Sequence, residues 1–208
     1  MKNESLDVVL IIISFLLLIV FYPFIPESVA LHWNYLNTPD FYASKLYLFT
    51  IPILTVFSFI VMKKLPRLKA LNKEVEFTRH HYADFVSLII IFLIYVEGVL
   101  ILSNIYFSPF SLSDFLLPAF SVFLYWTGLN LNKIKRNDWI GIRTPWSVKN
   151  DRVWVNTNIE GAKLFKVLSI ITMLSLFFDG YQWIIFLSST ATVAIVLILF
   201  SYFDYHSM

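Results

Sequence analysis

Six long apolar runs, separated by short polar segments, form the main pattern of this chain. They cover residues 7–24, 45–62, 84–104, 113–131, 163–180 and 183–203. Each run comes close to the roughly 20 apolar residues that an α-helix needs to cross a bilayer. The pattern predicts an all-α fold, in which residues 1–208 form a single domain, a bundle of six transmembrane helices.

The basic residues are concentrated after the second and fourth runs. Of the 16 Lys and Arg side chains, only Lys45 falls on the opposite side of the predicted bundle. Because Lys and Arg accumulate in cytoplasmic loops, we expect residues 63–83 and 132–162 to be cytoplasmic. Residues 25–45 then form an outer loop, and both termini are cytoplasmic.

Composition supports a multi-pass protein of the cell membrane. Hydrophobic residues make up 58% of the chain and charged residues 14%, with a mean hydropathy of +0.72. Soluble domains carry about 25% charged residues. The absence of cysteine excludes disulfides and thiolate chemistry, and the net charge of +2 gives no sign of a nucleic-acid-binding surface.

A cleaved signal peptide is the alternative interpretation of the first run. The apolar stretch from Val8 to Phe24 is longer than the roughly 7–15 residues of a signal-peptide core, and no A-x-A-like cleavage site follows it. We therefore expect a retained first helix.

Residues 137–154 interrupt the apolar pattern with charged side chains and three tryptophans. Pro145 lacks an amide donor, so the segment is not one continuous helix, and Gly141 permits a turn. Asn150 is a good N-cap, after which the chain can turn helical and continue into the fifth helix. Trp154 and Asn158 would then share one helix face with Gly161 and Phe165.

The tryptophans and the arginine of this segment allow more than one role. Trp139, Trp146 and Trp154 are interpreted as anchors in the headgroup region, where the basic neighbours meet anionic lipid. For Arg143 we expect an ion pair with Asp138 or Glu160, or a lipid phosphate contact. The alternative for Arg143 is a guanidinium that binds a partner's carboxylate.

The same segment resembles the signature of the SdpI family of bacterial immunity proteins. Gly128-Leu129-Asn130 fits as a lead-in, and Asn158 stands where the family usually has a His, which argues against a proton-transfer or ligand role there. The matching residues are Asn137, Ile140, Gly141, Ile142, Arg143, Thr144, Pro145, Trp146, Ser147, Asn150, Val153, Trp154, Thr157 and Gly161.

A second resemblance lies in residues 25–45, which are similar to the N-terminal domain of unknown function that accompanies many SdpI-like proteins. The family's usual Gly falls at Leu36-Asn37, so a different turn is expected. Within this loop His32-Trp33-Asn34 is a candidate recognition element, with loop ordering as the alternative. The matching residues are Pro26, His32, Asn34, Pro39, Asp40, Ser44 and Lys45.

The resemblance implies immunity to a secreted, membrane-active peptide toxin, with no enzyme activity and no cofactor. One family member also works as a signalling receptor that holds a transcriptional repressor at the membrane when toxin is present. The implied partners are therefore a peptide toxin outside, a repressor inside, and anionic lipid along the basic loops.

Glu97 is the most informative single residue, because it lies within the third apolar run. Counted from Asp84, it is about 20 Å into a hydrocarbon core of about 30 Å. An ionisable group at that depth needs a partner, a proton or water. We expect either a polar site that opens outward and that His32 reaches, or a protonated Glu bonded to a neighbouring helix. The toxin-recognition candidates are His32, Trp33, Asn34, Asp40, Lys45 and Glu97.

Neither a metal site nor a catalytic site is predicted. A combination of His32, Asp40 and Glu97 has no ligand spacing behind it, and His80-His81 with Asp84 lacks a third ligand. A small-solute or ion-coupled transporter built around Glu97 is the alternative function. Against it, the two halves lack the paired broken helices of such transporters, and Pro52 is the only clear breaker within a run. An intramembrane enzyme is the least supported class.

Overall fold

The structure is a computed structural model, and it describes residues 4–64, 75–106, 111–137 and 140–207. Side-chain surroundings are described for residues 5–63, 82–106, 111–137 and 140–207. The six α-helices of these ranges are α1 (Glu4–Phe21), α2 (Thr50–Lys64), α3 (Val75–Ile105), α4 (Leu112–Leu131), α5 (Asp151–Leu174) and α6 (Gln182–His206). One antiparallel hairpin is also described, with strands β1 (Ser28–Trp33) and β2 (Pro39–Ser44).

Within the described ranges, five helical segments are long and apolar enough to cross a membrane. By length and composition they are Ser5–Phe24, Lys45–Lys63, Tyr82–Ile105, Leu112–Leu131 and Gln182–His206. The predicted all-α, multi-pass membrane fold is confirmed, with the hairpin as an addition that the apolar pattern did not predict. A membrane crossing by α5 stays a prediction, because charged residues such as Glu160, Lys163 and Lys166 interrupt its apolar character.

The fifth apolar run was expected over residues 163–180, with helix possible from Asn150 onward. α5 begins at Asp151, as that N-cap predicts, and ends at Leu174, before the run does. Residues 151–162 of the loop expected over 132–162 are therefore helical. Pro52 does not break a helix, because it lies in the first turn of α2, where proline is tolerated. Among the described residues, Pro118 lies in the interior of a helix, α4.

The chain divides into two compact units. The first contains α1, the hairpin, α2, α3 from Tyr82 onward, and the start of α4 as far as Leu116. Its apolar core consists of Leu18, Ile25, Val29, Leu48 and Ile101. The second contains α4 from Leu117, the segment that follows it, α5 and α6. The prediction of a single domain over residues 1–208 stays a prediction.

α1 has the burial pattern of a lipid-facing helix. Val9, Ile12 and Leu16 are 51–53% exposed, whereas Asp7 and Ser14 are buried. Apolar side chains thus face outward and polar side chains face the protein, the reverse of a soluble helix. This arrangement agrees with a bilayer around α1.

Candidate functional site

The turn of the hairpin depends on two asparagines. Asn37 has a φ of 59°, in the left-handed region that Asn tolerates better than most residues. The Asn34 side chain accepts hydrogen bonds from the backbone N–H groups of Leu36 and Thr38, at 2.9 and 3.1 Å. Asn37 therefore occupies the left-handed position of this turn without a glycine.

Asn104, near the end of α3, holds the first strand. Its Oδ1 accepts from the N–H of Ala30 at 2.7 Å, and its Nδ2 donates to the carbonyl oxygen of Ala30 at 3.1 Å. Both Ala30 and Asn104 are buried. The amide side chain thus satisfies the backbone of β1 as a neighbouring strand would.

The turn is held by the first residues of α4. The Asn37 Nδ2 donates to the Ser113 hydroxyl at 2.9 Å, and the Ser113 N–H donates to the Asn37 Oδ1 at 3.0 Å. Together with Asn104, this contact fixes the hairpin at two points. The segment between α1 and α2 is therefore ordered.

Lys45 closes the base of the hairpin. Its ammonium group lies 2.9 Å from a Glu27 carboxylate oxygen, 3.5 Å from the carbonyl oxygen of Ile25, and 4.4 Å from the centre of the Tyr22 ring. The Lys45 side chain is only 12% exposed. These contacts favour a structural role for Lys45 within the candidate recognition loop.

His32 does not reach Glu97, and that expectation is wrong. The His32 Nδ1 pairs with Asp40 across the hairpin, and both side chains are substantially exposed. The Glu97 Oε2 instead accepts a hydrogen bond from the Ser14 hydroxyl of α1. The combination of His32, Asp40 and Glu97 considered for a metal is therefore not assembled, and the described residues contain no metal-binding group of three His, Asp or Glu.

Glu97 belongs to a buried polar seam between α1 and α3. It is 1% exposed, and in the same seam the Ser87 hydroxyl donates to Asp7 at 2.6 Å. Asp7 contacts Ser87, and Ser14, further along α1, contacts Glu97, further along α3. Residue numbers therefore rise together along the two helices, so α1 and α3 run in the same direction. The geometry favours the interpretation of a Glu bonded to a neighbouring helix over a site that opens outward.

Asp7, Ser14 and Asn104 were not predicted as positioning residues. Their signal was available: each is a polar residue within or beside an apolar run, where an unpaired polar group is costly. What the sequence could not supply was the partner, because each bond joins residues more than 70 positions apart.

The segment between α4 and α5, residues 132–150, is called the signature loop below; Asp138 and Trp139 lie outside the described residues. Asn137 organises its first half. The Asn137 Oδ1 accepts from the N–H of Ile140 at 2.8 Å, and its Nδ2 donates to the carbonyl oxygens of Lys135 and Ile140 at 2.7 and 3.1 Å.

Thr144 and Ser147 lock the turn around Pro145. The Thr144 N–H donates to the Ser147 hydroxyl at 2.8 Å, and the Ser147 N–H donates to the Thr144 hydroxyl at 3.0 Å. The Ser147 hydroxyl also donates to the carbonyl oxygen of Ile142 at 2.9 Å. Both Thr144 and Ser147 are buried, whereas Pro145 is exposed.

The predicted start of α5 and its shared face are confirmed. The Asn150 side chain accepts from the N–H groups of Arg152 and Val153, as an N-cap does. Asn158 accepts from the N–H of Ile142 at 2.9 Å and donates to the carbonyl oxygen of Trp154 at 2.9 Å. The residue that departs from the family pattern therefore joins the loop to the helix.

Trp154 is not a membrane anchor, and that expectation is wrong. Its side chain is 0% exposed, and its Nε1 donates to the carbonyl oxygen of Ile134 at 3.4 Å. Gly141, at a φ of 124°, lies against the Trp154 ring, where an added Cβ would come within 2.6 Å of a ring carbon. Gly141 is thus required both by its backbone conformation and by this close approach.

Trp146 contacts another aromatic ring. Its ring packs edge-on against Tyr202 of α6, with centroids 5.1 Å apart. Tyr202 packs in turn against His206, at 4.2 Å. This stack connects the signature loop to the last turns of α6.

The guanidinium of Arg136 joins the two ends of the loop. Arg136 donates to Asp151 and to the carbonyl oxygen of Val148. Arg143 is exposed, and its Nη1 donates to the carbonyl oxygen of Asn137 at 2.8 Å. Glu160 pairs with Lys163 at 2.9 Å, so the expected pair of Arg143 with Glu160 is wrong; Asp138 lies outside the described residues.

Two family models match separate parts of the chain. Residues 133–202 match the model of the SdpI/YfhL protein family. This region contains most of the signature loop, all of α5 and most of α6. Residues 9–56, which contain most of α1, the hairpin and the start of α2, match a domain of unknown function, DUF1648. Both predicted resemblances are confirmed.

The similarity to one relative extends over nearly the whole chain. The immunity protein SdpI of Bacillus subtilis (strain 168) is 26% identical over 208 residues, which cover 99% of this chain and 97% of that protein. No solved structure matches the chain. The hairpin and the signature loop therefore lie in a multi-pass membrane protein that resembles an immunity protein from end to end.

Proposed function

We propose that this chain is an integral membrane protein that gives its cell immunity to a secreted, membrane-active peptide toxin. The observation that carries the proposal is the similarity to an immunity protein over 99% of the chain. The ordered hairpin supports it, because a recognition element that is fixed before binding loses little entropy when a ligand binds.

The hairpin is the proposed toxin-recognition element, on the outer side of the membrane. Its fixed points, Asn104 and Ser113, belong to helices, so the strands are held by the membrane-spanning part of the protein. His32 and Asp40 form an exposed polar pair on the hairpin. Trp33 and Asn34 complete the candidate surface. Lys45 stabilises the base of the hairpin. Glu97 is not part of this surface, because it is buried in the seam between α1 and α3.

The signature loop is the proposed cytoplasmic face. Its exposed cations project from an ordered backbone, which suits contacts with anionic lipid or with an acidic surface of a cytoplasmic repressor. These cations are Lys133, Lys135, Arg136, Arg143 and Lys149. Sequestration of a repressor would add signalling to immunity without any enzyme activity.

Survival of a sensitive cell tests the proposal. Expression of the chain should raise the inhibitory concentration of membrane-active peptides fractionated from Bacillus subtilis culture supernatant. A membrane-dissolving detergent serves as the control. If the protein only strengthened the membrane in general, it would protect against the detergent as well as against the peptides. Equal killing by every peptide fraction, with and without the protein at verified membrane levels, would overturn the proposal.

An ion- or solute-coupled transporter built around Glu97 is the second candidate function. The observation that favours it is the Glu97 Oε1 atom, which is buried and has no hydrogen-bond partner among the described residues. Glu97→Gln separates the two functions, because the amide preserves the shape and the bond to Ser14 but cannot exchange a proton. Immunity through the hairpin predicts unchanged protection, whereas a transporter predicts lost uptake in liposomes.

A further inference from the structure

The backbone of β1 fixes which groups of the hairpin point outward. Both the N–H and the carbonyl oxygen of Ala30 bond to Asn104, so neither points toward β2. In an antiparallel pair, residues alternate between pairs that exchange both hydrogen bonds and pairs that exchange none. Ala30 and its partner Tyr42 therefore form a pair without hydrogen bonds between them.

A second contact gives the same alternation independently. The N–H of Lys45 donates to the carbonyl oxygen of Glu27 at 3.0 Å, which places Glu27 and Lys45 at a hydrogen-bonding position of the ladder. The Ala30–Tyr42 pair lies three positions along the ladder from Glu27 and Lys45. Since hydrogen-bonded and non-hydrogen-bonded positions alternate, Ala30–Tyr42 is again a pair without hydrogen bonds between its two residues. The N–H and the carbonyl oxygen of Tyr42 therefore point away from β1.

The outer edge of β2 is consequently open. Within the described residues the sheet has two strands, and no backbone hydrogen bond from Tyr42 to a group outside the sheet is found. Ser44, two residues along, has the same outward orientation by alternation. On the β1 side the equivalent groups of Ala30 are capped by Asn104, so only one edge of the hairpin can accept a further strand near its centre.

We propose that this open edge, centred on Tyr42, pairs with an extended segment of the peptide toxin, which adds a third strand to the hairpin. The inference rests on the proposed immunity function and specifies its binding mode. Strand addition takes affinity from main-chain hydrogen bonds and selectivity from side-chain contacts. Phe41 and Tyr42, which are 57% and 47% exposed, supply apolar surface beside the edge.

A membrane-active peptide fits this edge better than a second copy of the chain does. The hairpin connects directly to α1 and α2, and a peptide that partitions into the membrane is concentrated next to it, which raises its effective concentration. Two copies pairing through a six-residue strand would bury far less than the roughly 1,000 Å² expected of a stable interface.

Proline substitutions test the proposal, because proline removes one outward donor without touching the bonds to β1. Tyr42→Pro is compared with Tyr42→Ala, which loses the same ring but keeps the N–H. Ser44→Pro is compared with Ser44→Ala in the same way; Ser44 has a φ of −61°, which suits the proline ring. Ala43→Pro removes an inward donor and should disrupt the hairpin itself.

Protection is measured with the peptide fraction against which the wild type protects. Each outward proline should lower protection by roughly 3- to 10-fold relative to its alanine control, the loss expected for one hydrogen bond. The proline and alanine variants at each position should have the same melting temperature. If the two Tyr42 variants differ in melting temperature, the comparison of Ser44→Pro with Ser44→Ala tests strand addition in their place.

Equal protection by the proline and alanine variants, with a protecting wild type, would overturn strand addition and leave the immunity function standing. If the wild type protects against no peptide fraction, both strand addition and the immunity function are overturned. A Tyr42→Cys chain, with this as its only cysteine, that cross-links to itself in membranes without peptide would make a second copy the occupant and overturn the proposal.

Discussion

Asn104, Asn137 and Asn158 each use a side-chain amide to replace a backbone partner. An amide both donates and accepts, so one residue can satisfy an N–H and a carbonyl oxygen at once. Asn104 does this for Ala30 in the hairpin, and Asn137 does so for Ile140 in the signature loop. Irregular backbone that is shielded from water requires such partners, because an unpaired N–H or carbonyl group there is costly.

At the residue scale we predict unequal effects for Asn158→Ala and Arg143→Ala. Asn158 is 1% exposed and bonds to both the loop and the helix, so its removal leaves the partly buried N–H of Ile142 unpaired, a loss of about 1–3 kcal/mol. Arg143 is exposed, so its removal should cost about 1 kcal/mol or less. Melting temperature and limited proteolysis of the loop in detergent measure both.

A result in the opposite order would contradict this account of the loop. Arg143→Lys is the matched control for charge. If protection or signalling fails in Arg143→Ala while the melting temperature stays normal, Arg143 binds a partner through its guanidinium fork, and Arg143→Lys should restore only part of the function.

At the element scale, the hairpin and the signature loop are ordered for different reasons. The loop carries its own signals, namely Pro145, Gly141 and the N-cap Asn150, and its order and the start of α5 were therefore predictable. The hairpin was not predicted, because a bulge after Ala30 breaks the alternation of β1 and its anchors lie in α3 and α4. The buried position of Trp154 was also not predictable, because its contacts with Gly141 and Ile134 form only in the folded protein.

The hairpin should detach from its support when Asn104 is replaced. Asn104→Ala leaves the N–H and the carbonyl oxygen of Ala30 without their partner, so we expect faster hydrogen exchange in both strands and weaker protection. Asn130→Ala is the matched control, because the Asn130 Nδ2 bonds within its own helix, to the carbonyl oxygen of Trp126. Equal exchange in the two variants would show that Asn104 does not hold the strand.

At the scale of the whole molecule, the apolar runs and the distribution of Lys and Arg predicted a multi-pass membrane protein, and this was confirmed. The shared direction of α1 and α3 agrees with the predicted order of crossings. The pairing of buried polar groups could not be predicted, because Glu97 alone does not identify Ser14 among many hydroxyl groups. Orientation across the membrane stays a prediction.

Orientation can be tested with single cysteines, because the chain has none of its own. Thr38 and Lys149 are exposed, whereas Ser147 is buried and would resist any reagent. In intact cells an impermeant thiol reagent should label Thr38→Cys but not Lys149→Cys. Permeabilised cells should label both, and the reverse pattern in intact cells would invert the topology.

Recognition of a membrane-active peptide by the hairpin can be measured with a site-specific binding experiment. An environment-sensitive dye is attached to Thr38→Cys, at the hairpin turn, or to Tyr181→Cys, an exposed residue of the turn between α5 and α6. The proteins are placed in liposomes and titrated with the protective peptide fraction. We expect a saturable change in fluorescence at Thr38 and little change at Tyr181. Equal responses at both positions, or none at either, would contradict this expectation, because they would indicate partitioning into the lipid without recognition by the hairpin.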